Sequence, residues 1–313
     1  MMVMLMEQEN IIETVYDVFE KSIEFLYEET HLKYFDLFFL TADNILAGEV
    51  LNDLPDDKKE ELNSIYSPIN EASIDVETIR KALQAIVLKG FSEQKISNSS
   101  ITPDTIGILF AYLISKFEPK ERKIKIFDPL AGVGNLLFTL YNHLNLDIKM
   151  CGAEHNELSV KLMKYLSELQ QTELEIYFQD SLNVNVSNID YIVCDFDYCQ
   201  KENEKYFPFE VIKHHLSSLN DEGVMMCLIP NDFFDMDKDQ LFKNEIIKEN
   251  TILGLIELPD DFFRSNPKSI LLIQHSTKNK KCLMVKLPSF TDSKVFNESL
   301  NQIELWFEKN INK

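Results

Sequence analysis

Near the start of this chain apolar residues recur at three- and four-residue spacing. Ile11, Ile12, Val15, Phe19, Ile23 and Leu26 fall on one face of a helix. Phe35, Phe38, Phe39 and Leu40 predict a second apolar helix, and Val76 to Leu88 a further one. Between them, Asn52-Asp53-Leu54-Pro55-Asp56-Asp57 reads as a turn that opens a charged helix at Lys58. Residues 7–90 are therefore expected to be mostly helical. From residue 123 the pattern changes to strand, helix, strand in repetition. Strands are predicted at 123–128, 148–154, 174–179, 189–195, 223–229, 252–258 and 269–275, with helices between most of them. Such alternation implies a parallel sheet covered on both faces. Only the loop from Pro259 to Lys268 separates the last two strands, which suits an antiparallel partner at the sheet edge.

The junction after the first strand carries the most chemistry. Phe127-Asp128-Pro129-Leu130-Ala131-Gly132-Val133-Gly134-Asn135-Leu136-Leu137 joins a short strand to an apolar-periodic helix. A glycine-rich turn there lets backbone amides approach a ligand, with the helix N-terminus facing it. A dinucleotide fingerprint requires a third glycine where Leu137 stands. Asp128 at the strand end suits a cationic or hydroxyl-bearing ligand better than a pyrophosphate.

Two further acids follow in order. Glu154 ends the second strand, where a carboxylate accepts ribose hydroxyls in nucleotide-binding units. Asp180, followed by Ser181, ends the third, within reach of an adenine amino group. Strand ends of one sheet are where open α/β proteins bind ligands. An isolated acid at such a position is often only a helix cap; the sequence of turn and three acids is more specific.

These residues resemble motif I and its companions in the S-adenosylmethionine (SAM) dependent methyltransferases, in the Asp-Pro-x-x-Gly-x-Gly-Asn form of the N6-adenine DNA methylases. Ser100-Ile101-Thr102-Pro103-Asp104 is similar to motif X of the same family, and its upstream position gives the gamma-class order shared by modification subunits of type I restriction systems. Thr102 also reads as a helix N-cap with Pro103 at the first helical position. The helical N-terminus followed by this core is similar to stand-alone relatives in low-GC Gram-positive bacteria. The resemblance implies a Rossmann-like α/β fold of about seven strands, with a helical domain over 1–96 and a methyltransferase domain over 97–313. It also implies SAM as cofactor, held by Thr102, Asp128, Pro129, Gly132, Gly134, Asn135, Glu154, Asp180 and Ser181.

The pattern departs from the family after the fourth strand. N6-adenine methylases carry Asn/Asp-Pro-Pro-Tyr/Phe there, and this chain reads Asp195-Phe196-Asp197-Tyr198. By resemblance, Asp195 and the Phe196 carbonyl would accept hydrogens from a flipped adenine amino group, with Tyr198 stacking on the base. Both prolines that would lock that loop are absent, and Asp197 adds a carboxylate. Only 115 residues (313 minus 198) follow Tyr198, too few for the predicted strands plus a target-recognition region.

Charge points the same way. The net charge is −21, with 20 acidic against 8 basic residues over 1–100 (−12) and 32 against 23 over the remainder (−9). Nucleic-acid binders usually show the opposite footprint. Lys120, Arg122, Lys123, Lys125, Lys268, Lys278, Lys280 and Lys281 are read as solvated edges rather than a DNA groove. Autonomous sequence-specific DNA methylation is not expected. Two readings stand beside the methyltransferase: a non-catalytic SAM-sensing or scaffolding protein whose acidic helical domain binds a protein partner, and an enzyme acting on a small-molecule or protein amine.

Other features carry less. Five cysteines without a C-x-x-C pair fit a reducing cytoplasm and argue against zinc or a disulfide framework, and Cys194 and Cys199 read as structural thiols. His155 reads as a strand-end surface histidine, His214 and His215 as surface or cap residues. No phosphate loop, nucleophile elbow or metal spacing appears. The segment Asp260 to Asn266 reads as a plain connection. The start of the chain turns acidic at Glu7 without a basic n-region, and no apolar run approaches the ~18 residues of a membrane span, so a cytoplasmic location is expected.

Overall fold

The structure is a computed structural model of the 313-residue chain. It describes residues 2–70, 74–117, 123–196, 201–202, 205–263, 266–276, 278 and 280–311. The chain separates into two compact units, Met1–Ile101 with Lys161–Glu173, and Thr102–Val160 with Leu174–Lys313.

The first unit is built on helices α1 (Met2–Thr30), α2 (Tyr34–Ala47), α3 (Asp56–Asn70) and α4 (Val76–Glu93). The three-and-four spacing buries Phe19 and Leu26 of α1 with Leu37 and Phe38 of α2, Leu62 of α3 and Ile86 of α4. Burying each such side chain contributes roughly 1.5–3 kcal/mol. The polar groups enclosed with them are paired: Ser22 Oγ lies 2.8 Å from both Thr41 Oγ1 and Tyr66 Oη, and Asn44 donates to Tyr66 Oη at 3.0 Å. Asp75 caps α4 by accepting from the Thr78 amide at 3.0 Å.

The second unit holds α5 (Asp104–Phe117), β1 (Ile124–Asp128), α6 (Asn135–His143), β2 (Ile148–Glu154) and the start of α7 (Glu157–Leu169). Next come β3 (Leu174–Phe178), β4 (Ile189–Asp195), β5 (Lys201–Glu202), β6 (Lys205–Tyr206), α8 (Phe207–Leu216) and β7 (Leu219–Pro230). It closes with α9 (Leu241–Ile246), β8 (Thr251–Glu257), β9 (Lys268–Gln274), β10 (Leu283–Lys286) and α10 (Ser293–Asn310). Eight strands form one mixed sheet in the order β10-β8-β9-β7-β4-β1-β2-β3, and β5 and β6 form a separate hairpin. This is the Rossmann-like methyltransferase fold expected from the sequence.

The two-residue strands β5 and β6 were not anticipated; all seven predicted strands are present, and the eighth of the large sheet, β10, was missed. Its four residues, Leu-Met-Val-Lys, are too few for an alternating pattern to register. The edge assignment also needs correction. β9 is antiparallel, as anticipated, but it is inserted between β7 and β8, and β10 occupies the edge. Every residue of β9 is buried, as an interior strand requires.

Two local contacts bring segments to the C-terminal end of the parallel strands. Gly107 allows α5 to approach α6 closely, since a Cβ there would lie 2.6 Å from Thr139 Cγ2. α5 begins at Asp104, one residue later than predicted, with the Pro103 carbonyl accepting from the Ile106 amide at 2.9 Å. Among the described residues no helix is long and apolar enough to cross a membrane.

Candidate functional site

Asp128 ends β1 and is 2% exposed. Its Oδ1 accepts from the Leu130 amide at 2.9 Å, which tightens the chain into the turn. Pro129 is buried and sets the first turn residue. Gly132 and Gly134 take φ values of +55° and +85°, the left-handed region that an L side chain rarely enters. Gly134 is the N-cap of α6, and Asn135 begins the helix. Asn135 Nδ2 donates to the Thr102 carbonyl at 2.7 Å and to Asp104 Oδ1 at 3.1 Å, so the turn grips the segment before α5.

Glu154 stands at the end of β2, next to the turn. One oxygen accepts from the Gly132 amide at 3.1 Å, and the other from the amides of His155 and Asn156 at 2.7 Å each. The end of β3 adjoins it, because the Gln179 amide donates to the Glu154 carbonyl at 3.1 Å. Asp180 is exposed and accepts from the Leu182 amide at 2.8 Å, the cap of a short 3-10 turn. Ser181 points inward, with Oγ 3.0 Å from His215 Nε2.

Asp195 ends β4, and both of its oxygens are engaged. Thr102 Oγ1 donates to Oδ2 at 3.1 Å, and Lys268 Nζ donates to Oδ1 at 2.7 Å. The threonine hydroxyl therefore serves the strand end rather than the helix cap predicted for it. Phe196 is fully buried in the core, and its amide donates to the Leu228 carbonyl at 2.9 Å, which extends the β4–β7 ladder. Tyr198 lies outside the described residues, as do Asp197, Cys199, Lys120 and Arg122.

The electrostatics of this end of the sheet are dominated by acids. Burial pushes the Asp128 carboxyl up to about 8, with the charges of Asp195 and Glu154 adding to the rise. A buried carboxyl beside two others favours a cationic ligand, which relieves the cost of ionising it. Among the described residues no group of His, Cys, Asp and Glu is arranged to hold a metal ion.

Two residues contradict their sequence reading. Lys268, read as a solvated edge, is 8% exposed and pairs with Asp195 across 73 positions. The Phe263 ring covers its ammonium, 5.3 Å from the ring centroid, so Phe263 does more than connect two strands. A signal was available: Lys268 stands two residues before the apolar run Ile270–Ile273, where a charge is buried only with a partner. His215, read as a surface or cap residue, is fully buried; its Nδ1 has no hydrogen-bond partner among the described residues, and burial lowers its pKa to about 4. Other readings agree with the geometry: His155 is exposed, and Cys194 is a buried thiol 3.4 Å from Cys227 Sγ. A cavity of about 750 Å³ elsewhere in this unit, lined by Phe234, Lys243, Asn250, Leu255, Cys282 and Met284 among others, includes none of the site residues.

With the turn, the three acids and the strand order in place, the profile of the "N-6 DNA Methylase" family matches residues 85–310. The chain belongs to the N-6 DNA methylase family. Its members are SAM-dependent methyltransferases. A second profile, the YtxK N-terminal helical domain, matches residues 13–91. The chain is similar to the uncharacterized protein YtxK of Bacillus subtilis, with 28% identity over 332 aligned positions, 96% of this chain and 99% of that protein. Among solved structures it is similar to a Listeria monocytogenes protein provisionally assigned as a class I SAM-dependent methyltransferase. That match has a TM-score of 0.83 and 28% identity, and covers 95% of this chain and 99% of that one. The methyltransferase subunit of a type I restriction-modification system from Streptococcus thermophilus shares the fold, with a TM-score of 0.62 at 13% identity, over 93% of this chain and 74% of that one.

Proposed function

We propose that this protein is a SAM-dependent methyltransferase that transfers the methyl group to an amino nitrogen. The observation that carries the reading is the buried Asp128 beside Glu154 and Asp195, at the mouth of a turn with two left-handed glycines. This donor set fits SAM, whose sulfonium and ammonium groups meet carboxylates while the adenosine portion is met by strand-end acceptors. Asp128, Pro129, Gly132, Gly134 and Asn135 would form the cradle, with Glu154, Asp180 and Ser181 toward the nucleoside and Thr102 toward the amino-acid end.

SAM, when bound, would supply an activated methyl group to that nitrogen. The chain contributes position and charge. Asp195 and the Phe196 carbonyl orient the acceptor's N–H bonds, and the carboxylate stabilises the cation that develops on nitrogen. Tyr198 is assigned the stacking position. The acceptor class is an amine of a nucleobase, nucleic acid included, and the acidic residues 1–96 form a helical domain that meets a protein partner. The absence of a membrane-crossing helix among the described residues supports a cytoplasmic location.

A non-catalytic SAM-sensing role is favoured by one observation, that both Asp195 oxygens are already bonded within the chain. Titration calorimetry with SAM and with S-adenosylhomocysteine tests the shared part of both readings. Saturable binding is expected in the wild type and at least a thirty-fold loss in Asp128→Ala; equal affinity in the variant would remove the site from this turn. Mass spectrometry of adenine nucleotides and oligonucleotides incubated with SAM then separates enzyme from sensor. A mass gain of one methyl group supports transfer, and binding without any such gain supports sensing.

A further inference from the structure

Lys268 is the first residue of β9 and lies opposite Pro230 of β7, so its Cα is fixed inside a sheet. Its side chain runs to the end of β4, where Nζ donates to Asp195 Oδ1 at 2.7 Å under the Phe263 ring. The opposite oxygen of Asp195 accepts from Thr102 at 3.1 Å. Neither lysine nor aspartate is more than about an eighth exposed, with side-chain values of 9% and 12%. A charge pair so shielded from water is held far more firmly than a surface pair, and separating it leaves each partner in need of a substitute.

This arrangement conflicts with a simple amine acceptor. An amine has to donate its N–H to Asp195 where the ammonium now sits, and its nitrogen gains positive charge during transfer. An ammonium at hydrogen-bond distance from the same carboxylate opposes both. The conflict disappears if the ammonium is drawn onto another anion. Four methylenes let Nζ swing by several ångströms while β9 stays in place.

Resting on the methyltransferase reading above, we propose that Lys268 is a specificity-determining latch on Asp195: the site takes an amine whose own molecule carries a phosphate, and that phosphate draws Lys268 away and frees Oδ1 for the amine. An amine without the phosphate meets a closed latch. The lysine then neutralises the incoming phosphate, which the surrounding acids and the net charge of −21 would otherwise repel. The phosphate then replaces Asp195 as the partner of the ammonium, and the amine N–H replaces the ammonium as the donor to Oδ1.

The test uses the full-length protein saturated with S-adenosylhomocysteine, titrated with adenosine 5′-monophosphate and, separately, with adenosine. The wild type is expected to bind the monophosphate at least ten-fold more tightly than the nucleoside. Lys268→Met brings the ratio to about one, and Lys268→Arg keeps the preference. Melting temperature and S-adenosylhomocysteine affinity report whether each variant is folded. Two wild-type results need no variant: failure to bind S-adenosylhomocysteine overturns the methyltransferase reading and the latch with it, whereas binding it without discriminating the two probes, or without binding either, overturns the latch alone. A folded Lys268→Met protein that retains the ten-fold preference also overturns it.

Discussion

The amide of Gly132 donates to Glu154 Oε2 at 3.1 Å, so the carboxylate at the end of the second strand holds the glycine turn of the first. The positive φ of Gly132 turns its amide toward the neighbouring strand, and β1 and β2 pair in parallel with Asp128 opposite Gly152. The turn and the second acid are therefore one structural unit, and a change in either is felt by both.

Replacing Glu154 by Ala removes the acceptor of three amides, those of Gly132, His155 and Asn156. Hydrogen bonds to a charged group are worth roughly 1.5–3 kcal/mol each, though exposed His155 and Asn156 recover most of theirs from water. The expected outcome is a loss of about 2 kcal/mol in unfolding free energy and at least a ten-fold loss in SAM affinity. Denaturant melts and calorimetry measure the two. Loss of affinity with no loss of stability would assign Glu154 to the ligand alone.

The Asp128 carboxyl, raised to about 8 by burial, is largely protonated in the free protein at neutral pH. A cationic ligand favours the ionised form, so SAM binding releases a proton. Affinity should rise as pH increases from 6 to 8, by up to ten-fold per unit, and level off above 8. Calorimetry at pH 7 in two buffers of different ionisation enthalpy should show up to one proton released. Asp128→Asn should bind weakly with a flat profile in this range.

His215, lowered to about 4 against an ordinary value of 6.5, resists protonation in the folded protein. Between these values the unfolded chain binds more protons, so this residue's contribution to stability is complete above about 6.5 and is lost as pH falls towards 4. A shift of this size corresponds to about 3 kcal/mol. Asp128 has the opposite sign, since its folded-state value lies above the unfolded one and the folded protein holds the extra proton between 3.8 and about 8. The wild-type profile is therefore flattened, and the comparison with His215→Leu isolates the histidine. The stability of wild type relative to that variant should fall by about 3 kcal/mol from pH 7 to pH 4 in urea melts; a constant difference would place the imidazole in water.

Local pattern alone determined much of this protein. Helical spacing from Ile11 to Leu26, strand–helix alternation after residue 123 and the two glycines at 132 and 134 are short-range signals, set by backbone sterics and by which face must be buried. They gave the helical N-terminal region, the methyltransferase sheet and the order of Asp128, Glu154 and Asp180. Tertiary structure decided what those signals do not encode. Antiparallel β9 sits inside the sheet because it can pair with β7 on one side and β8 on the other, and its uninterrupted apolar run suits both faces being covered. His215 is buried because its helix turns that face to Ser181 and Phe127. Lys268 meets Asp195 because the end of β4 and the start of antiparallel β9, 73 positions apart, reach the same edge of the sheet with only β7 between them, and a charge in that place is stable only with its counter-charge. Sequence spacing carries no record of such a distance, and the pairing of charges across it exists only once the sheet has formed.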